Sequence, residues 1–193
     1  MRNVFHVLTV EHKQQLLSIS LELRDRGASD SSFLGSVITG DETWVYGYDP
    51  ETRVQRSQWK SPSSPRAKRA RQSRSNIKAM MIVFLDLDGI VRAEFVPRNT
   101  TVNSEYFKGL LERLRMCPHP PYSPDLAPCD FWLFLKVKMT MKGKHFESIQ
   151  DIEAATTAQL KTLTKEDFQN CFRKWQERWD KCVRSGGEYF EGY

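Results

Sequence analysis

The sequence predicts a mixed α/β fold, and three observations predict it. β-Branched and aromatic residues gather over residues 36–48, 79–87 and 90–97, as in strands. Asp88-Gly89 separates the last two runs and suits the tight turn of an antiparallel hairpin. Apolar residues recur at helical spacing on both sides of that block: Leu16, Ile19 and Leu23 before it, and Phe168, Phe172, Trp175 and Trp179 after it.

Taken in order, Thr9 is a plausible N-cap for a helix over residues 10–26, which Gly27 ends. The first strand follows and carries Asp41, a residue type disfavoured inside strands. Residues 49–76 hold Pro62, Pro65 and six serines without periodicity, and read as an extended loop. Asp86 and Asp88 flank the hairpin tip and read as turn formers. Asn103 caps a helix over 103–115, with Tyr106, Phe107, Leu110, Leu111 and Leu114 on its apolar face. Four of the nine prolines lie between His119 and Phe134. They predict an extended, rigid crossing over 118–128. A helical pattern then runs through Phe131, Leu133, Phe134, Val137 and Met141 to about Gly143, with Asp130 in its first turn. Helices over 148–163 and from Thr164 or Lys165 complete the chain, with a short tail over 186–190.

At 193 residues and 39% hydrophobic composition, the chain is expected to form one domain, at most two, with a real core. No apolar run reaches the ~18 residues of a membrane span, and residues 1–10 lack a signal-peptide core. Cys117, Cys129, Cys171 and Cys182 have no metal-ligand spacing and read as reduced thiols, the last two facing a core. The net charge of +5 is unevenly spread. Residues 53–78 contain nine bases and no acid (Arg53, Arg56, Lys60, Arg66, Lys68, Arg69, Arg71, Arg74, Lys78), leaving 5 − 9 = −4 on the remainder. One basic segment on a mildly acidic body predicts local polyanion contact, a nuclear-import-like run, or a solvated loop.

Two acids stand out locally. Asp130 reads either as a helix N-terminal charge or as a metal-binding carboxylate held by its proline-rich approach. Asp41 reads either as a bulge or satisfied polar residue, or as a second ligand.

Motifs sharpen both readings. Tyr122-Ser123-Pro124-Asp125-Leu126-Ala127-Pro128-Cys129-Asp130 resembles the YSPDLAP-x-D signature of mariner-type transposases (Tc1/mariner superfamily). Thr39-Gly40-Asp41-Glu42-Thr43-Trp44 resembles the TGDETW stretch of the same family. Val4, His6 and Leu8 match its WVPHxL linker, and Trp175, Arg178, Trp179, Lys181 and Cys182 match its C-terminal WxxRWxKC-like helix. The resemblance implies an RNase H-like catalytic core, with Asp41 and Asp130 as the first and third ligands of Mg2+ or Mn2+. It also implies a clamp loop at 49–78 that reaches DNA and a partner subunit.

The resemblance is incomplete. The helix-turn-helix units that precede the linker in the family have no match, and neither does the HDN motif with the second catalytic Asp. Arg115 runs directly into Met116-Cys117-Pro118. The expected fold is therefore a partial RNase H-like one, a mixed sheet with flanking helices that lacks the fourth strand and second helix. Glu94 lies at about the family's spacing before Asp130 but belongs to the third strand, so it cannot substitute. The resulting expectations are a linker and helix over 1–30, a degenerate catalytic domain over 31–193, and weak or absent metal binding. The expected function is a nuclear, transposase-derived protein that binds DNA non-specifically and does not cut it. The alternatives are a residual metal-dependent endonuclease, or an interaction protein that forms homodimers or pairs with intact transposase subunits.

Overall fold

The computed structural model describes residues 9–52, 73–97, 100 and 123–188. The expectations for the linker motif at 4–8, most of the basic loop, and the helix and join over 103–118 lie outside these residues.

Helix α1 (Val10–Ser29) starts where Thr9 accepts a hydrogen bond from the His12 amide, as the sequence predicts. It does not stop at Gly27. That glycine sits inside the helix with its Cα face against Trp179, and the chain turns out only at Asp30. Strands β1 (Thr39–Tyr46), β2 (Lys78–Leu85) and β3 (Ile90–Val96) form an antiparallel sheet in the order β1-β2-β3. The hairpin tip is wider than a two-residue turn. The Asp86 carboxylate accepts from the amides of Asp88 and Gly89, so both aspartates serve the turn.

The proline-rich approach is only partly extended. Pro124–Leu126 forms a 3-10 turn, because proline's fixed φ suits the first position of a helical turn. Helix α2 (Phe134–Met141) follows a π turn over Cys129–Leu133. Helices α3 (Ile149–Leu160) and α4 (Lys165–Arg184) both open on capping boxes, Ser148 with Asp151 and Thr164 with Asp167.

The core lies between one sheet face and the helices. Val45, Ala79, Met81, Val83 and Leu85 meet Leu133, Val137 and Met141 of the α2 segment and the buried stripe of α4. All six apolar residues of that stripe, Phe168, Cys171, Phe172, Trp175, Trp179 and Cys182, are buried. At about 1.5–3 kcal/mol for each large apolar side chain, α4 is the main anchor of the helical layer. Its far end is tied to α1 by the Lys13–Glu188 ion pair and by Gly187, where any side chain would strike the Lys13 carbonyl.

Loss of a central strand predicts poorly covered apolar residues at Ile82, Phe84 and Val91. The structure corrects two of these. Ile82 and Phe84 are 1% and 3% exposed, while Val91 is 41% exposed.

Candidate active site

Asp41 is held by unbroken strand pairing. It lies opposite Val83, whose other partner is Ala93, so no bulge explains the aspartate. Alternation places it on the same face as buried Thr43 and Val45, towards the helices. Gly40 beside it lies under the Phe84 ring, where a Cβ would come within 2.2 Å of a ring carbon. Glu94 pairs with Ile82, the neighbour of Val83, and therefore points from the opposite face, where it forms an ion pair with Arg92. Its exclusion as a substitute acid holds on geometry.

Asp130 is held by the π turn and by α4. The Phe134 amide donates to the Cys129 carbonyl, one residue further back than in an α-helix. The extra residue rotates Asp130 by about 100° relative to everything after it. Asp130 and Lys138 would lie about 80° apart around a regular α-helix; the inserted residue brings them to about 20°. On the other side, Arg178 Nη1 donates to the Asp125 carbonyl at 3.0 Å, and its guanidinium stacks 4.2 Å from the centroid of the Phe131 ring.

The tertiary fold brings Asp41 close enough to Asp130 for each carboxyl to act on the other. Burial first, then the Asp41 charge, pushes Asp130 up to about 7, and Lys138 pulls the other way. Burial raises the Glu42 carboxyl too, with Asp41 adding to it. Burial pushes the Cys129 thiol well above its ordinary range, and the charges of Asp41 and Asp130 reinforce this. Cys129 is therefore an inert neighbour of the acids, not a ligand. Burial lowers Lys138, and Asp130 opposes that shift.

Two close carboxylates, one of them raised by burial and by its neighbour's charge, form a hard-oxygen donor pair suited to Mg2+ or Mn2+. Among the described residues, no three of His, Cys, Asp and Glu gather closely enough to hold a metal ion. Among the described residues, the donor set fits one divalent ion held by Asp41 and Asp130.

Of the nine basic residues, two lie among those described. Arg74 forms an ion pair with Asp49 at 2.7 Å and lies over the Tyr46 ring. Lys78 opens β2 with its ammonium 4.0 Å from the Trp44 ring centroid. Both brace the base of the loop. Arg53, Arg56, Lys60, Arg66, Lys68, Arg69 and Arg71 lie outside the described residues. Sequence reasoning missed Lys138 and the bracing role of Arg178. Only the eight-residue spacing from Asp130 to Lys138 hinted at the first.

A family model described as transposase (partial DDE domain) matches residues 49–117, the stretch between the two acids. The chain is 28% identical to the Mariner Mos1 transposase of Drosophila mauritiana over 202 residues, covering 83% of this chain and 58% of the relative. It is 24% identical to the Homo sapiens histone-lysine N-methyltransferase SETMAR over 227 residues, covering 96% of this chain and 33% of that protein. The chain thus spans little more than half of the first relative and a third of the second. Since 83% of 193 residues is about 160, about 42 of the 202 aligned positions have no counterpart here. The second alignment leaves the same shortfall, 227 against about 185. The fold matches the Mos1 paired-end complex with left transposon end at a TM-score of 0.85 and 25% identity, over 99% of this chain and 67% of that one. It matches the isolated catalytic domain of Mos1 at 0.75, over 96% and 98%. Sheet and helices agree with these structures, and the chain, similar to the mariner-type transposases of the Tc1/mariner superfamily, has an RNase H-like α/β fold.

Proposed function

We propose that this mariner transposase-derived chain is a DNA-binding relic of the catalytic domain, without cleavage or strand-transfer activity. One observation carries the reading: Asp41 and Asp130 come together, and among the described residues no third acid joins them. In-line phosphoryl displacement on two ions needs a clamp on both the attacking and the leaving oxygen. A divalent ion at Asp41 and Asp130 would supply Lewis acidity at one of these oxygens only. The shortfall of about 42 positions against both relatives supports an internal deletion, which accounts for the missing acid. Solved Mos1 complexes with Mn and with Mg support the choice of ion.

DNA binding rests on residues 53–78, whose nine bases neutralise phosphates without reading sequence. The paired-end complexes of Mos1 support a homodimer, or a heterodimer with intact transposase subunits, as the assembled form. The same basic run supports a nuclear location. The test is metal-dependent cleavage of a labelled duplex by the chain beside Asp41→Ala, with DNA binding followed by anisotropy. Binding without cutting is the expected result. Cleavage that needs Mg2+ and vanishes with Asp41→Ala would establish the second reading, a residual metal-dependent endonuclease, which the closeness of the two carboxyls favours.

A further inference from the structure

β1 keeps one edge open. Among the described residues the sheet runs β1-β2-β3, and no strand lies along the outer side of β1. The ladder tells which backbone groups face that side. The Gly47 amide donates to the Ile77 carbonyl at 2.8 Å, and this pair continues the register in which Tyr46 faces Lys78. Bonding alternates along an antiparallel strand. Asp41, Thr43 and Val45 therefore turn their backbone groups to β2, whereas Gly40, Glu42, Trp44 and Tyr46 turn theirs outward. The Glu42 amide agrees, since it donates at 2.7 Å to the carboxylate of Asp41 and not to β2. Gly40 and Glu42 are exposed, and Trp44 is 38% exposed. No proline, lysine or bulge blunts the edge.

We propose that two copies of this chain pair through the open edge of β1, antiparallel about a two-fold axis at Thr43, into one six-stranded sheet. This gives a surface to the homodimer proposed above and rests on that part of the reading. The register follows from the outward residues. With Thr43 on the axis, Glu42 lies opposite Trp44 of the second copy and Gly40 opposite Tyr46, so all four outward residues of each strand are paired. An axis at Glu42 sets two like carboxylates directly against each other, which is destabilising. An axis at Trp44 leaves Gly40 beyond the end of the facing strand. Charge selects the same arrangement. The first half of β1 carries Asp41 and Glu42. Its second half is flanked by cations: the Lys78 ammonium lies 4.0 Å from the Trp44 ring centroid, and the Arg74 guanidinium 5.0 Å from that of Tyr46. Antiparallel pairing sets the acidic half of each copy against the basic half of the other. Glu42 then reaches Lys78 of the second copy across the Trp44 ring. On pairing, the Glu42 amide exchanges its Asp41 acceptor for the Trp44 carbonyl of the second copy.

The experiment is sedimentation velocity on the full chain over a concentration series, without DNA. The parent is expected to dimerise reversibly. Glu42→Lys or Lys78→Glu alone turns two symmetric attractions into repulsions and should raise the dimer dissociation constant on the order of tenfold. The double swap, Glu42→Lys with Lys78→Glu, restores opposite charges and should return to within about threefold of the parent. That rescue separates a lost contact from a folding defect. Amide exchange followed by NMR reads the edge itself: the Glu42 and Trp44 amides should slow as the parent's concentration rises. A dimer indifferent to both single swaps, or a double variant no better than the singles, overturns this surface and leaves the homodimer standing. A parent that stays monomeric at every concentration overturns the homodimer and this proposal with it.

Discussion

Arg178 in α4 grips the chain on both sides of Asp130. Its Nη1 donates to the Asp125 carbonyl at 3.0 Å, with the Asp125 carboxylate 4.0 Å away, and its guanidinium covers the Phe131 ring at 4.2 Å. Burial lowers the guanidinium pKa, and Asp125 opposes that shift. The candidate ligand therefore hangs on a segment fastened from the last helix of the described chain.

Arg178→Ala should destabilise the fold by about 1–3 kcal/mol, through a lost charge-assisted hydrogen bond and an ordered ring contact. It should also weaken Mn2+ binding, since Asp130 loses both of its flanking anchors. Arg178→Lys keeps the charge without the planar fork and should recover part of the stability only. Urea titration and Mn2+ EPR on the three proteins check this. Full stability in the alanine variant would remove the clasp from the account.

Asp130 makes stability depend on pH in a definite direction. Its carboxyl sits at about 7 in the folded chain against an ordinary value of 3.8. The folded state thus holds the proton more tightly than the unfolded one. Stability from this group is lost as pH rises from about 4 to 7 and stays lost above that. Because the carboxyl is only partly buried, water screens the effect to about 1–2 kcal/mol. Asp130→Asn mimics the neutral acid, so its stability relative to the parent should grow between about pH 4 and pH 8. A difference constant with pH would contradict the raised Asp130 carboxyl.

Gly40→Ala tests the packing beside the acid pair. The added methyl would sit 2.2 Å from a Phe84 ring carbon, and Phe84 is buried in the middle strand. Overpacking of this kind costs about 1–3 kcal/mol. Thermal unfolding of the single variant, and of Gly40→Ala with Phe84→Leu, checks it: the double variant should recover part of the loss.

The basic segment should bind duplex DNA with little regard for sequence, and its affinity should fall by orders of magnitude between about 50 and 200 mM salt. Neutralising Arg66, Lys68, Arg69 and Arg71 together should remove most of that binding and flatten the salt dependence. Arg74→Gln should cost less, since Arg74 is already paired with Asp49. Anisotropy titrations at three salt concentrations separate these outcomes.

Much of this protein could be read before folding because the forces involved are local. Thr9, Ser148 and Thr164 cap their helices through amides three residues away. Asp86 and Asp88 shape their own turn, and the α4 stripe follows from 3.6-residue periodicity. The two acids were legible from the motifs around them. Other features needed the tertiary structure. Gly27 reads as a stop signal, yet it continues α1 because the surface of α4 lies against it at Trp179. Ile82 and Phe84 are buried on the sheet face opposite Asp41, which no local pattern announces. The raised carboxyl of Asp130 depends on burial and on the charge of Asp41, brought to it from β1. Propensity acts over a few neighbouring residues, whereas Coulomb energy and desolvation depend on distances in space that only the folded chain sets.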